Sequence, residues 1–238
     1  MNRIILTEED FCGSCCVRLK GRRFVHLQEV IKAGPGKEVK VGLLSGPCGA
    51  GVVSGVASDY IDLSVSLTEA ALPPTELRVL MALPRPKTFR KALHAAVTMG
   101  VTELWFFETY KVEKSYWSSP MLEESFLREE LLLALEQSGD TRLPRVEFRR
   151  RFKIFVEDEF PSIVAGSRVF AAHPGSCVPC PANVSGPVSL CLGPEGGFTE
   201  YEVEKLCAAG AQLIGLGERI LRTEVALPAL LGRLLPLR

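Results

Sequence analysis

The sequence has no surplus of charge: its 28 lysines and arginines are matched by 28 aspartates and glutamates. That balance excludes a basic field over the whole molecule, so any affinity for a polyanion must come from local clusters. No apolar run approaches the roughly 18 residues of a membrane helix, and the opening stretch, Met1 to Asp10, turns acidic before an apolar segment of signal-peptide length can form. A cytoplasmic location is expected, with the eight cysteines as free thiols. Histidine is scarce, and His26, His94 and His173 lie in different regions without ligand or triad spacing. Cys177 and Cys180, with His173, are separated by most of the chain from Cys12, Cys15 and Cys16. Zinc sites draw close pairs from a local segment, so no metal is expected.

Two basic clusters are present: Arg18, Lys20, Arg22 and Arg23, then Arg145, Arg149, Arg150, Arg151 and Lys153. On a neutral chain they favour RNA only mildly over two solvated faces. The first seventy or so residues read as short β segments broken by glycine. Val39, Val41 and Leu43 alternate with Glu38, Lys40 and Gly42, and a second β-prone stretch runs from Gly51 to Leu67. A compact antiparallel barrel over residues 1–70 is the expectation. Pro73-Pro74 fits neither a central strand nor a helix interior and marks a boundary, with a second domain over 76–238.

Beyond the boundary, strands alternate with helices. Strands are expected at Val79–Leu83, Val101–Phe107, Val146–Phe148, Arg168–Ala172 and Val188–Leu192. One helix is expected around Phe89, Leu93, Ala96 and Val97, stopped by Gly100, and another through Met121, Phe126 and Leu135. That alternation implies a parallel sheet and an α/β class.

The densest signal lies near the C-terminus. Leu190-Cys191-Leu192 runs into Gly193-Pro194-Glu195-Gly196-Gly197-Phe198-Thr199, and Thr199 with Glu202 has the spacing of a capping box for a helix from residue 200 to near Gly210. Glycine there permits positive φ and close approach of backbone to a ligand at the carboxyl end of a strand. The Gly-x-x-Gly-Gly spacing matches neither a dinucleotide fingerprint nor a phosphate loop. A second glycine loop, Gly215-Leu216-Gly217-Glu218-Arg219-Ile220-Leu221-Arg222-Thr223-Glu224, leads into a last helix expected to be capped by Thr223. Two adjacent loops could enclose one ligand.

Together these loops resemble the paired signature of the bacterial 16S ribosomal RNA uridine N3-methyltransferases, a family of the SPOUT superfamily. Arg22-Arg23-Phe24-Val25-His26-Leu27, Ala134-Leu135-Glu136-Gln137-Ser138 and Leu143-Pro144 are similar to further segments of that family. The resemblance implies a SPOUT-type parallel sheet with a C-terminal trefoil knot, preceded by a small PUA-like RNA-binding β-barrel. It also implies a homodimer, S-adenosyl-L-methionine as cofactor, and 16S ribosomal RNA or the small subunit as partner. General topology rules make a knot very rare, so the residues alone would suggest an ordinary doubly wound sheet.

By matching positions, the resemblance places the cofactor against Leu192, Gly193, Gly196, Gly197, Gly215, Leu216, Gly217, Ile220 and Leu221, and RNA against Arg22, Arg23, His26 and Arg219. These cofactor positions are small or apolar, which suits adenine and a sulfonium methyl. Arg222 is expected to stabilise negative charge on a uracil oxygen. Glu224 is a candidate base, a helix N-terminal residue favoured by the dipole, or a partner for Arg222. Departures from the family pattern at Thr98, Lys114 and Pro228 point to altered substrate contacts and a perturbed last helix. The rival readings are a SPOUT methyltransferase acting on transfer RNA or another RNA site, and a non-catalytic RNA-binding relative.

Overall fold

The computed structural model describes residues 2–235. The chain forms two compact units. One holds the residues up to Pro73 together with Leu132–Leu143, and the other holds Pro74–Leu131 together with the chain from Pro144 onward.

The first unit is a curled sheet of β1 (Ile4–Leu6), β2 (Cys16–Lys20), β3 (Glu38–Leu43), β4 (Cys48–Val56) and β5 (Tyr60–Glu69), in the order β1-β3-β4-β5-β2. The expected small barrel stands as this curled half-barrel, and only its wholly antiparallel pairing is corrected, because β1 pairs parallel with β3. The single β-prone stretch from Gly51 is a hairpin of β4 and β5, closed where Ala57 N–H donates to the Tyr60 carbonyl. A β-carbon on Gly49 would meet the Ser66 carbonyl oxygen at 1.9 Å, so only glycine lets these strands approach at the bulge. The short helix α1 (Gly21–Val25) runs into a wider π turn, and its Phe24 joins Leu6, Val17, Leu19, Leu27, Val41, Ile61 and Leu63 in the core.

In the second unit β6 (Leu77–Ala82), α2 (Pro86–Thr98), β7 (Glu103–Phe107), α3 (Glu124–Ser138), β8 (Arg145–Arg149), α4 (Phe152–Ile154), α5 (Phe160–Ile163), β9 (Arg168–Ala172), β10 (Val188–Leu192), α6 (Glu200–Ala208), β11 (Gln212–Ile214) and α7 (Thr223–Leu234) follow in chain order. Of α3, the residues through Leu131 belong here. The six strands are all parallel, in the order β11-β9-β10-β6-β7-β8. Every residue of the central strand β10 is buried, which accounts for its unbroken small and apolar sequence. From β6 the chain steps outward through β7 to β8, then returns to β9 on the far side of β10. The crevice at the carboxyl ends of β6 and β10 is therefore where such sheets hold ligands.

Helix α2 begins with Pro86 at its first position and buries Phe89, Ala92, Leu93, Ala96 and Val97 along one stripe. It ends before Gly100, whose φ is 79°. The expected helix from Met121 starts later, at Glu124. Pro120 opens a separate short turn, Ser119 Oγ accepts from Met121 N–H, and Glu123 is extended. The aromatic-rich stretch 152–163, with Phe152, Phe155 and Phe160 buried, forms the helical segments α4 and α5 around another π turn.

The connection 173–187 is laced to the C-terminal segment by backbone hydrogen bonds. Gly215 N–H donates to Val178 and its carbonyl accepts from Cys180 N–H, while Asn183 and Val184 N–H donate to Arg233 and Leu234.

Candidate active site

The loop 193–199 is fixed from both ends of its own sequence. Thr199 Oγ1 accepts from Glu202 N–H, and Glu202 Oε2 accepts from Thr199 N–H at 2.8 Å, closing the expected capping box at the start of α6. Glu202 is buried, and its other oxygen accepts from Tyr110 N–H at 2.7 Å in the loop after β7. Lys111 Nζ donates to the Gly196 carbonyl at 2.7 Å, and Glu195 Oε1 accepts from Arg85 N–H at 3.2 Å in the loop after β6. Phe198 stacks on Phe107 with 6.3 Å between ring centres. The glycine loop is thus clamped by the loops that leave two neighbouring strands.

Two kinds of glycine build the site. Gly193 has no room for a β-carbon, which would lie 3.1 Å from Phe198 N, and at Gly215 the β-carbon would meet the Ser176 carbonyl oxygen at 2.8 Å. Gly197 and Gly217 have φ of 70° and 103°, where side chains are disfavoured.

Between the two loops lies a cleft of about 460 Å³. Leu192, Gly193, Gly197, Ile220 and Leu221, all expected at the cofactor, line it, as do Arg222, Thr223 and Glu224. Leu216, Gly217 and Arg219 line an adjoining pocket of about 80 Å³ that shares Pro174, Leu221 and Ala226 with the cleft. Gly196 and Gly215 do not line either space. Gly196 faces the Lys111 side chain, and buried Gly215 bonds the connection after β9. Arg85, Pro174 and Ala226 line the cleft without having been singled out. Arg85 lies in a Pro-Arg-Pro turn at the end of β6, and that position was its available signal.

Arg222 is exposed, and its guanidinium has no ion-pair partner among the described residues. It occupies the position before the first residue of α7, so Thr223 is the first helical residue and is not the cap it was expected to be. Glu224 is mostly buried in the first turn of α7, 3.8 Å from Lys91 Nζ on α2. Lys91 is thus its ion-pair partner, and the helix dipole favours its charge. Pro228, inside α7, has no N–H to offer the Glu224 carbonyl four residues before it. Burial pushes the Cys191 thiol up, so this cysteine behind the cleft stays protonated and is no nucleophile. Burial, with Glu113 and Glu195 nearby, likewise raises the Tyr116 phenol.

In the first unit, Arg22 makes a bidentate pair with Glu136, and Arg23 makes one with Asp10 at 2.6 Å while also donating to the Ile5 carbonyl. Both guanidinium forks are therefore engaged within the unit. His26 is partly buried, and desolvation beside Arg22 lowers its basicity. Cys12 and Cys16 lie together in this unit, their sulfurs 3.2 Å apart, while Cys177 and Cys180 belong to the other. Among the described residues no three metal-ligating side chains converge.

A parallel sheet in this strand order, with a glycine-loop cleft at the ends of its central strands, is the architecture of SPOUT-type methyltransferases. Two solved structures share the fold. The ribosomal RNA small subunit methyltransferase E of Neisseria gonorrhoeae, bound to S-adenosyl methionine, matches with a TM-score of 0.74 and 20% identity over 97% of this chain and 95% of that one. A putative methyltransferase of Legionella pneumophila, in complex with the same cofactor, matches with a TM-score of 0.75 and 19% identity over 97% and 95%. The chain belongs to the RNA methyltransferase domain family, whose profile matches residues 71–235. Among curated relatives, the ribosomal RNA small subunit methyltransferase E of Treponema pallidum is 26% identical over 239 residues, covering 95% of this chain and 87% of its own length.

Proposed function

We propose that this protein transfers a methyl group from S-adenosyl-L-methionine to N3 of a uridine in 16S ribosomal RNA of the small subunit. The observation that carries the reading is the cleft, which is apolar along Leu192, Ile220, Leu221 and Pro174, bare of side chains at Gly193 and Gly197, and edged by Arg222 and Glu224. A wall of that chemistry fits an adenine ring and a sulfonium methyl better than a phosphate. The names of the relatives from Treponema pallidum and Mesomycoplasma hyopneumoniae, the latter 30% identical over 159 residues, support the RNA substrate.

When bound, S-adenosylmethionine supplies an electrophilic methyl group on a sulfonium centre. The chain's own residues do the remaining work. The two loops exclude water from the reacting atoms and fix the approach of the base, which supplies much of the rate in an in-line displacement. The uridine N3 proton is weakly acidic. Arg222, with no ion-pair partner among the described residues, meets the negative charge that collects on a uracil oxygen as that proton leaves. Glu224 holds its position through Lys91 and the helix dipole and is a cleft-lining carboxylate that can take the proton.

The curled sheet of residues 1–70 acts as the PUA-like RNA-binding domain of this enzyme. Its Lys20, Lys32, Lys37 and Lys40 are available to phosphate, whereas Arg22 and Arg23 hold the unit together. The protein works as a homodimer in the cytoplasm. In support of a covering second copy, Ile220 on the cleft wall is 84% exposed, and Val225 in the first turn of α7 is 50% exposed. No helix among the described residues is long and apolar enough to cross a membrane.

The test is calorimetric titration with S-adenosylmethionine on the wild type and on Ala226→Phe, which fills the cleft, followed by transfer of labelled methyl to small-subunit RNA. Binding lost in the variant, with label on uridine N3, establishes the reading. Label on transfer RNA instead moves the substrate. A wild type that binds no cofactor removes the enzyme reading altogether.

A further inference from the structure

Among the described residues, the two most exposed large apolar side chains are Ile220, at 84%, and Tyr110, at 85%. Ile220 belongs to the cofactor cleft, but Tyr110 does not line it, and nothing so far accounts for its ring standing in water. Its backbone is held firmly. Tyr110 N–H donates to buried Glu202, the neighbouring Lys111 donates to Gly196, and two residues earlier Glu108 Oε2 accepts from Arg151 N–H at 3.0 Å. Arg151 has φ of 61°, a strained conformation for arginine, and this turn presents Arg150 and Arg151 beside the loop that carries Tyr110. Arg150 lies over the Trp117 ring at 5.1 Å. Lys114 and Arg151 are exposed and have no ion-pair partner among the described residues.

A rigidly mounted, solvent-facing aromatic ring among uncompensated cations, next to a cofactor loop, has the composition of a single-stranded nucleic acid platform. There, bases stack on aromatic faces while cations track the backbone. An apolar protein partner would leave Lys114, Arg150 and Arg151 to be desolvated without compensation. We propose that Tyr110 is the stacking platform for an unpaired nucleotide flanking the target base, with Lys114, Arg150 and Arg151 contacting its phosphates. This rests on the RNA methyltransferase reading and adds to it a recognition residue and a preference for unpaired RNA. A duplex keeps its bases stacked on one another and offers none to the tyrosine.

The experiment is fluorescence anisotropy of a short labelled single-stranded oligoribonucleotide, and of a duplex of the same length, titrated with the wild type, Tyr110→Ala and Tyr110→Phe. Methyl-transfer kinetics and cofactor calorimetry on the same preparations complete it. Tyr110→Ala should bind the single strand about tenfold more weakly and raise the KM for RNA with kcat and cofactor affinity unchanged. Tyr110→Phe should bind normally, and duplex binding should be the same in all three proteins. Single-strand binding by Tyr110→Ala equal to that of the wild type overturns the proposal, as does a Phe variant as weak as the Ala variant. A shift of the Ala variant's sedimentation to a smaller species, with RNA binding intact, also overturns it and places Tyr110 in a protein interface. Each of these outcomes leaves the methyltransferase reading standing, and only a wild type that transfers no methyl to any RNA defeats that.

Discussion

Glu202 and Tyr110, 92 residues apart in sequence, are joined by a 2.7 Å hydrogen bond from the tyrosine N–H to a buried carboxylate that also caps its own helix. One side chain thereby sets both the glycine loop of the cleft and the neighbouring loop after β7. Both Glu202 oxygens accept from backbone N–H groups. Glu202→Gln would keep one acceptor and turn an amide N–H against a donor, leaving a buried group unsatisfied at a cost of about 1–3 kcal/mol. The expected result is a lower unfolding midpoint and weaker binding of S-adenosylmethionine, read by thermal denaturation and calorimetry. An unchanged variant would mean that the two loops are held by something other than this carboxylate.

Gly215 and Gly232 should respond to alanine in opposite directions. At Gly215 the added β-carbon meets the Ser176 carbonyl oxygen, so backbone must move and the laced connection loosens. At Gly232, exposed in α7, the closest atom to an added β-carbon is the Met99 terminal methyl at 3.8 Å, and the helix gains from the lost chain entropy. Gly215→Ala should lower stability by about 1–3 kcal/mol, and Gly232→Ala should raise it by about 0.5–1 kcal/mol. Urea unfolding midpoints compare them directly.

Why the sequence revealed some of this and not the rest follows from the range of the interactions. The capping box of Thr199 and Glu202, the stripe of α2 and the apolar run of β10 are local patterns, and each stands in the structure where its spacing put it. The strand β1 is too short, at three residues, to carry a period, and its parallel pairing with β3 depends on partners far along the chain. The second role of Glu202 and the engagement of Arg22 by Glu136 were equally hidden, because neither partner is adjacent in sequence. Thr223 was expected as a cap from its residue type. The structure shows why type was not enough: the helix begins at Thr223 itself, one residue earlier than that role allows.

Acid should weaken the second unit through Glu130. Burial pushes its carboxyl up, but hydrogen bonds from Arg90 at 2.7 Å and from His94 at 2.5 Å outweigh that and hold it below the ordinary carboxylate range. A group whose pKa is depressed on folding contributes stability that is present above its unfolded value and is lost as pH falls through the folded one. The wild type should therefore be more stable than Glu130→Gln by about 1–3 kcal/mol at neutral pH. The gap should close as pH falls below the ordinary glutamate value of 4.5. Urea midpoints measured across that range check this, and a gap independent of pH would assign the effect to packing.

The division of labour between Arg222 and Glu224 can be separated kinetically. Arg222 lines the cleft with no ion-pair partner among the described residues, so its removal should act on the developing charge rather than on cofactor binding. Arg222→Ala is expected to lower kcat by about 100-fold or more, the scale of losing one preorganised charge stabiliser, with calorimetric affinity for S-adenosylmethionine retained. Glu224 is anchored by Lys91, so two outcomes differ in kind. If it accepts the N3 proton, Glu224→Gln loses activity at every pH below the uridine's own ionisation and recovers as pH rises toward it, because the substrate then arrives deprotonated. If Glu224 only seats the helix, Glu224→Gln keeps the wild-type pH profile at a modestly reduced rate, and Lys91→Met reproduces that reduction. A flat loss in Arg222→Ala accompanied by lost cofactor binding would instead place the arginine among the cofactor contacts.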